Sequence, residues 1–387
     1  MKKITFIFTM ILFVAGSYAG TESTAPDESY YFPYITGNIL LESNFTSFTH
    51  ADYGNKLEND GKNFAFWNIE NSLYLNIFNN FALKNTIILR PVKKRLDRIE
   101  YIDNDYYGRE SYLKRKTYSG NYDIVFEELA FEYKNDEFML GFGKFNPTFG
   151  TAYNKSKYHG VLDTRIAKNY ELKEKIGFYV AMTFPMFNLR GNFFHNDNTT
   201  LSNSLFGKRN TYNTDKGVGN KESMDNFSVT SDFSYYDLKF NVGIRRQGTD
   251  NWNGKAEKGY VFGIEKLVED TEYGFGFIPF GEVSFIENYD GTKGRNLTFF
   301  TTRIPLYYGG WSIIGSYSLK IDAEKNFKNY RDYIAQITLG YKFNDGLMID
   351  VSRSNEKESY KISSTQKNSY KLGAWGARLS YMVEIGR

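Results

Sequence analysis

The chain has 387 residues, no cysteine, three histidines, 34 phenylalanines and 32 tyrosines, with 48 Lys and Arg against 45 Asp and Glu. The absence of cysteine excludes a disulfide framework and any thiolate metal site or nucleophile, and three histidines leave little material for a His-rich metal centre. An aromatic fraction of 18% is too high for a disordered chain, and the near-balanced charge argues against a dedicated nucleic-acid binder.

The N-terminus reads as a processing segment. Lys2 and Lys3 precede an apolar run from Ile4 to Ala15, and Ser17-Tyr18-Ala19 supplies small residues for cleavage after Ala19. The expectation is a signal peptide over residues 1–19, followed by a single domain over 20–387. The alternative, a membrane anchor, would need about 20 apolar residues. No later stretch approaches ~18 consecutive apolar residues, so the remainder is not an α-helical membrane protein.

Beyond residue 20 the pattern is period-2 alternation, repeated along the chain. A first strand carries Ile35, Ile39 and Leu41. Ala65, Trp67, Ile69, Leu73, Leu75 and Ile77 then share one parity, and after Asn79-Asn80 the pattern resumes at Phe81, Leu83, Ile87 and Leu89. Val125, Leu129, Phe131 and Tyr133 lead into Phe138, Leu140 and Phe142, and Ile176–Phe184 turns at Pro185-Met186 into Phe187–Phe193. The second half repeats the device from Phe227 to a last strand over Trp375–Ile385. Pro279 is expected to interrupt its strand, because its missing N–H breaks the ladder. The 297–306 segment alternates most weakly.

Connections alternate too. Short turns follow every second strand, as hairpins require. Between them lie longer polar stretches at 46–62, 91–121, 145–174, 195–225, 246–258, 287–295, 322–332 and 353–369. Phe78, Phe81, Tyr133, Phe138, Phe184, Phe187, Tyr235, Tyr236, Tyr273, Tyr307, Tyr308, Tyr341 and Phe343 crowd the short-turn end, where an aromatic girdle meets the headgroups. A secreted β-sandwich would also alternate. The loop pattern, the turn-proximal aromatics and the mid-strand charges favour an all-β, 16-stranded antiparallel transmembrane β-barrel with long external loops and short periplasmic turns. Its place is the bacterial outer membrane.

Gly143-Lys144-Phe145-Asn146-Pro147-Thr148-Phe149-Gly150 resembles the G-[KR]-F-x-x-P-F-G segment of phosphate-selective-type porins, with the Pro-to-Phe spacing one residue longer. Tyr170-Glu171-Leu172-Lys173-Glu174-Lys175-Ile176-Gly177 is similar to that superfamily as well. The motifs cover about 15 residues, and the strand plan covers the rest. The resemblance implies a bacterial outer-membrane porin and a homotrimer. Two features differ: no arginine or lysine ladder is concentrated here, and the chain ends Ile385-Gly386-Arg387 rather than on an aromatic residue.

The third long connection, 145–174, is expected to fold into the barrel and narrow it, presenting Lys155, Lys157, Asp163, Arg165, Lys168 and Glu171. Gly141 and Gly143, on the lumen parity before it, would let another backbone approach the wall. The alternative is a solvated external loop. Parity places Lys84, Arg90, Arg190, Lys239, Arg245, Arg303, Lys320, Lys342 and Arg378 toward the lumen, with Glu70, Glu128, Glu132, Asp232, Glu282 and Asp350. Arg or Lys facing lipid at the midplane would cost about 2–4 kcal/mol.

Mixed signs predict passive diffusion of small hydrophilic solutes and ions with modest selectivity. The other reading is a surface receptor or adhesin barrel without an open channel. No catalytic residue, cofactor or metal is expected: His50, His159 and His195 fall in loops without an oriented nucleophile. Glu127-Glu128 read as wall charges. The Lys93-Lys94-Arg95…Arg98 run, interleaved with Asp97, Glu100 and Asp103, could grip lipopolysaccharide or a neighbouring subunit, though a solvated mixed-charge loop fits it better. Partners are outer-membrane lipid, lipopolysaccharide and small solutes, and no nucleic acid.

Overall fold

The computed structural model describes residues 33–52, 63–91, 122–157, 164–202, 218–219, 225–249, 254–270, 274–324, 330–361 and 367–386. The expected signal peptide, the 93–98 basic run, His159 and Asp163 lie outside the described residues, as do the side chains of His50, Arg90, Lys157 and Arg165.

The strands are β1 (Tyr34–Asp52), β2 (Asn63–Phe78), β3 (Phe81–Pro91), β4 (Tyr122–Lys134), β5 (Phe138–Phe145), β6 (Lys175–Thr183), β7 (Phe187–Asn196), β8 (Phe227–Tyr235) and β9 (Leu238–Gln247). They continue as β10 (Glu257–Lys266), β11 (Val268–Asp270), β12 (Phe275–Phe277), β13 (Phe280–Glu287), β14 (Arg295–Tyr308), β15 (Trp311–Glu324), β16 (Tyr330–Lys342), β17 (Leu347–Lys361) and β18 (Lys367–Ile385). Two short helical turns, α1 (Ala152–Lys157) and α2 (Thr164–Ala167), lie between β5 and β6.

Successive wall strands pair antiparallel, and β1 pairs with β18 from Gly37↔Ile385 to Asp52↔Lys371. The sheet therefore closes on itself. β10 with β11, and β12 with β13, each form one wall strand with a break, so the closed wall has 16 strands. The second break falls at Ile278-Pro279, where proline has no N–H to give the ladder.

Side-chain burial is inverted relative to a water-soluble domain. Asp350, Thr301 and Ser318 are fully buried at 0% exposure, while Phe142, Ile337 and Trp67 are 58%, 56% and 65% exposed. The exposed apolar face points outward and the polar face inward. This is the transmembrane solution, because a lipid-facing strand must be apolar and its backbone must be fully paired. Exposed Phe78, Phe81, Tyr235, Tyr236 and Tyr308 band the short-turn end. Asn80 (φ 71) and Gly309 (φ 55) supply the left-handed backbone of two of those turns.

The strands outrun their apolar pattern at the long-loop end. Parts of the stretches expected as loops are strand: β1 reaches Asp52, β15 and β16 leave only 325–329 between them, and β17 and β18 leave 362–366. Above the bilayer both faces of a strand meet water, so the alternation fades before the pairing does.

Three local expectations are corrected. Val125 points inward, not outward, and is 1% exposed, because a bulge at Glu127 shifts the register between Thr86↔Glu128 and Ile87↔Phe126. Gly141 is covered by the Tyr179 ring rather than by another backbone; a Cβ there would meet Tyr179 Cζ at 2.1 Å. Gly143 (φ +134) does admit backbone, but that of β4, with Leu129 O at 2.4 Å from a Cβ.

Ile337 faces outward on β16, and Ser316 faces inward on the adjacent strand. Ile337→Lys should destabilise the barrel by about 2–4 kcal/mol, whereas Ser316→Lys should leave it folded. Comparing the heat-modifiable gel mobility of the two variants checks this.

Candidate functional site

The inner wall is not polar throughout. Val261 (β10), Phe280 and Ile286 (β13), Leu297 and Phe299 (β14) and Ile334 (β16) are buried apolar residues on inward positions. They form one cluster with Phe145, Phe149, Ala152, Ile166, Ala167, Tyr170 and Leu172. The segment after β5 thus packs against strands on the far side of the ring. The weak alternation of 297–306 starts here: Leu297 and Phe299 put apolar side chains on the inner face of β14 where the segment covers it.

Glu282 on β13 is the principal anchor. It is 2% exposed and accepts from Thr151 N–H at 2.6 Å, Thr151 Oγ1 at 3.1 Å, Ala152 N–H at 3.2 Å and Tyr170 O–H at 2.6 Å. Gly150 (φ +77) brings the backbone there; a Cβ would stand 2.7 Å from Glu282 Oε1. A carboxylate holding two backbone N–H groups and two hydroxyls is well satisfied.

Other far-wall groups add to it. Arg245 on β9 donates to the Tyr170 carbonyl, lies over the Phe149 ring at 4.6 Å and pairs with Glu257 at 2.6 Å. Arg303 on β14 donates to the Lys155 carbonyl, and Lys155 pairs with Glu265 of β10. Tyr289 donates to the Asn169 carbonyl at 3.3 Å.

The near wall holds the two ends of the segment. Glu128 accepts from Asn146 N–H at 3.1 Å and from Thr86 at 3.0 Å, and pairs with Lys84 at 2.9 Å. Glu127, turned inward by the bulge, meets Lys173 at 3.3 Å, and Lys173 donates to Tyr153 O–H at 3.0 Å. Asn146 Oδ1 accepts from Glu174 N–H at 2.8 Å. Lys144, fully buried in the Gly143–Gly150 motif, pairs with Asp197 at 2.8 Å and Glu174 at 3.4 Å. Burial pushes the Glu171 carboxyl up to about 7; Lys173, 3.3 Å away, opposes the shift and Glu127 adds to it. Lys173 is raised above its usual value, because Glu127 and Glu171 outweigh the opposing effect of burial.

Of the residues expected along this segment, Lys155 is engaged with the wall, Glu171 is half-buried beside Lys173, and Lys168 is exposed. Lys157 closes α1 and Arg165 lies in α2. On the wall, Arg190 lies over the Tyr179 ring at 4.3 Å and donates to Asn192 at 3.1 Å, and Tyr179 O–H donates to Glu132. Lys320 pairs with Asp332 at 2.9 Å. Arg378 donates through Nε to Asp350 at 2.9 Å and lies 3.4 Å from Glu42. Lys239 is exposed near the short-turn rim.

From β15 round through β18 to β3 the inward face is chiefly hydroxyl and amide. Thr301 and Ser318 are bonded at 3.3 Å, Thr338 and Ser352 at 3.0 Å, and Gln336 and Thr338 at 3.0 Å. Sequence reasoning missed Thr151, Tyr170, Tyr179, Glu257 and Glu265. The one signal available was the inward apolar pair Leu297 and Phe299.

This arrangement, a closed ring with a polar bore and a segment held inside it, is a transmembrane β-barrel architecture. The sequence matches no family model and no curated protein. Among solved structures the chain is similar to the outer membrane channel DcaP of Acinetobacter baumannii, at 12% identity and a TM-score of 0.56, covering 90% of this chain and 96% of that one. It is also similar to a loop L8 deletion form of OmpT, an outer membrane protein of Vibrio cholerae, at 7% identity and a TM-score of 0.50, covering 90% of this chain and 99% of that one. At these identities the likeness is one of fold.

Glu282→Ala removes the acceptor of four bonds without touching the lipid face. The segment should become at least about tenfold more sensitive to limited proteolysis, because burying its donors without an acceptor costs roughly 1–3 kcal/mol each. Heat-modifiable mobility of the barrel should stay as in the parent.

Proposed function

We propose that this protein is an outer-membrane porin whose bore carries small hydrophilic solutes and ions by passive diffusion. The observation that supports it most is the inverted wall, with carboxylates, guanidinium groups and hydroxyls inside and phenylalanine, leucine and isoleucine outside. A ring of 16 strands is too wide for side chains alone to fill, so its charged mid-strand interior faces water.

In this reading residues 145–174 are the constriction. Lys155, Lys157, Asp163, Arg165, Lys168 and Glu171 present its charges; Arg190, Lys239, Arg245, Arg303, Lys320, Arg378, Glu128 and Glu282 belong to the lining. Glu282, Arg245, Arg303 and Glu128 act by holding the segment in place. Most wall cations have a carboxylate partner, so no ring of one sign forms, and selectivity between anions and cations is modest. The leader over 1–19 exports the chain, the external connections meet lipopolysaccharide, and the chain assembles as a homotrimer. The Gly143–Gly150 segment supports a relation to phosphate-selective-type porins without specifying phosphate as the solute. The protein is not an enzyme in this reading.

Deleting Lys155–Arg165 should raise single-channel conductance at least about twofold in a planar bilayer, since conductance follows the narrowest cross-section; unchanged conductance would sink the constriction. Glu171 supplies a pH test. Its carboxyl is protonated below about pH 7 and charged above it, so the segment gains one negative charge as pH rises. Reversal potentials in a salt gradient should move toward cation preference between acid and alkaline buffers, and Glu171→Gln should flatten that change.

A further inference from the structure

Toward the long-loop end of β15 to β18, charge is sorted by face. The acids point inward: Asp322 pairs with Arg295 at 2.9 Å, Asp332 pairs with Lys320 at 2.9 Å, and Glu356 is 3% exposed. The outward parity carries bases, Arg331 on β16, Arg353 and Lys357 on β17 and Lys371 on β18. Arg331 and Lys371 are exposed, and Arg353 and Lys357 are half-buried. Register fixes their direction, since Arg353 lies opposite Ile337 and Trp375, which are both exposed on the outer face.

Like charges are set against each other there. Lys357 stands directly opposite Lys371, and at the strand ends Lys361 stands opposite Lys367; cross-strand pairs of one sign are destabilising by themselves. Arg331 is a diagonal neighbour of Lys357, one pair beyond Tyr333↔Lys357. Asp52, opposite Lys371 at the end of β1, is the one acidic position of this parity among the described strand positions of β1, β16, β17 and β18. Among the described residues no carboxylate pairs with Arg331, Lys357 or Lys371. The connections 325–329 and 362–366 add Lys325 and Lys328 and no acid. On the opposite wall exposed Lys258 of β10 has Glu287 directly opposite on one side and Arg246 on the other.

The depth of the cluster follows from counting. Lys357 lies ten residues beyond Leu347, the first of β17, and Arg331 eleven before Lys342, the last of β16; a crossing takes about 9–11 residues. Aromatic rings mark the same level, with Trp375 48% exposed and Tyr317 stacked on Tyr333 at 6.2 Å. Nearer the short turns the outward residues are Leu339, Val351 and Leu379. Arg353 starts lower and reaches up: its guanidinium lies 5.3 Å from the Trp375 ring and donates to Thr49 Oγ1 at 2.7 Å. The bases therefore gather at headgroup depth, directly above an apolar face.

We propose that the outward face of β16–β18 at the long-loop end binds a phosphorylated glycolipid of the outer leaflet, with Lys357 and Lys371 sharing a phosphate and Arg353 and Arg331 alongside. This rests on the outer-membrane reading above and names a lipid site within it. A phosphate accepts from both ammonium groups at once, which turns the repulsion between Lys357 and Lys371 into a shared attraction. The fork of Arg353 suits a further anionic oxygen or sugar hydroxyl beside Trp375. Acyl chains of the same molecule lie on Leu339, Val351 and Leu379 below. A free anion meets the charges and leaves that apolar face unused, and an acidic protein would have to displace lipid from it.

The full chain, delipidated in mild detergent, is titrated with bis-phosphorylated lipid A, its dephosphorylated form, phosphatidylglycerol and inorganic phosphate. The bis-phosphorylated form should bind at least about tenfold more tightly than the other two lipids, and the Lys357→Gln/Lys371→Gln double variant should lose that margin, because hydrogen bonds to charged groups are what it removes. Lys258→Gln, on the opposite wall, should bind as the parent does. All variants should keep the parent's heat-modifiable mobility, since the substituted side chains lie at the water-facing rim. Unchanged affinity in the double variant, or an equal loss in Lys258→Gln, overturns the site. Displacement of lipid A by an equal concentration of inorganic phosphate overturns the lipid as ligand. An acidic protein held by the purified parent in place of glycolipid overturns the occupant. Membrane fractionation of the parent, read first, keeps these apart from failure of the outer-membrane reading.

Discussion

Hydrocarbon offers backbone N–H and C=O groups no partner, and every other feature of this chain follows from meeting that condition with strands. A sheet with free edges would expose a row of unpaired groups at each end. The β1–β18 ladder, extending from Gly37 to Asp52, removes those edges. Once the ring is closed, strand geometry sends alternate side chains to opposite sides. Lipid then requires apolar residues outside, and the enclosed water tolerates charge inside. The exposed phenylalanines and buried aspartates are two consequences of one closure.

The lumen obeys a second condition, that buried charge be paired. Arg378 with Asp350, Lys84 with Glu128, Arg245 with Glu257 and Lys320 with Asp332 each put opposite charges within 3 Å of one another. The segment between β5 and β6 uses the same economy. Its backbone donors end on Glu282 and Glu128, and its carbonyls at Lys155, Asn169 and Tyr170 accept from Arg303, Tyr289 and Arg245. Apolar side chains beneath it replace water at the contact. A loop fixed by so many groups on both walls is a structural member of the bore.

Legibility divides along the same line. Parity is local, so the outward and inward sets on β5, β7, β9, β13 and β18 were readable from residue numbers alone. Where a single residue is inserted, as at Glu127, the parity of everything beyond it reverses, and Val125 turned inward unannounced. Strand ends above the bilayer were unreadable because water on both faces removes the pattern. The glycines at 141 and 143 were legible as places lacking a side chain, but what filled the space, Tyr179 in one case and the β4 backbone in the other, depends on neighbouring strands.

The sequence by itself determined the strand repeat, its closure into a barrel of this size and which charges avoid lipid, because each depends on the side-chain period and on the solvent along one strand. Only the tertiary structure decided which wall receives the described parts of the segment between β5 and β6, and that Glu282 rather than any other carboxylate holds them. Those are relations between residues far apart in the chain, set by the curvature of the closed ring, and no periodicity along one strand encodes them.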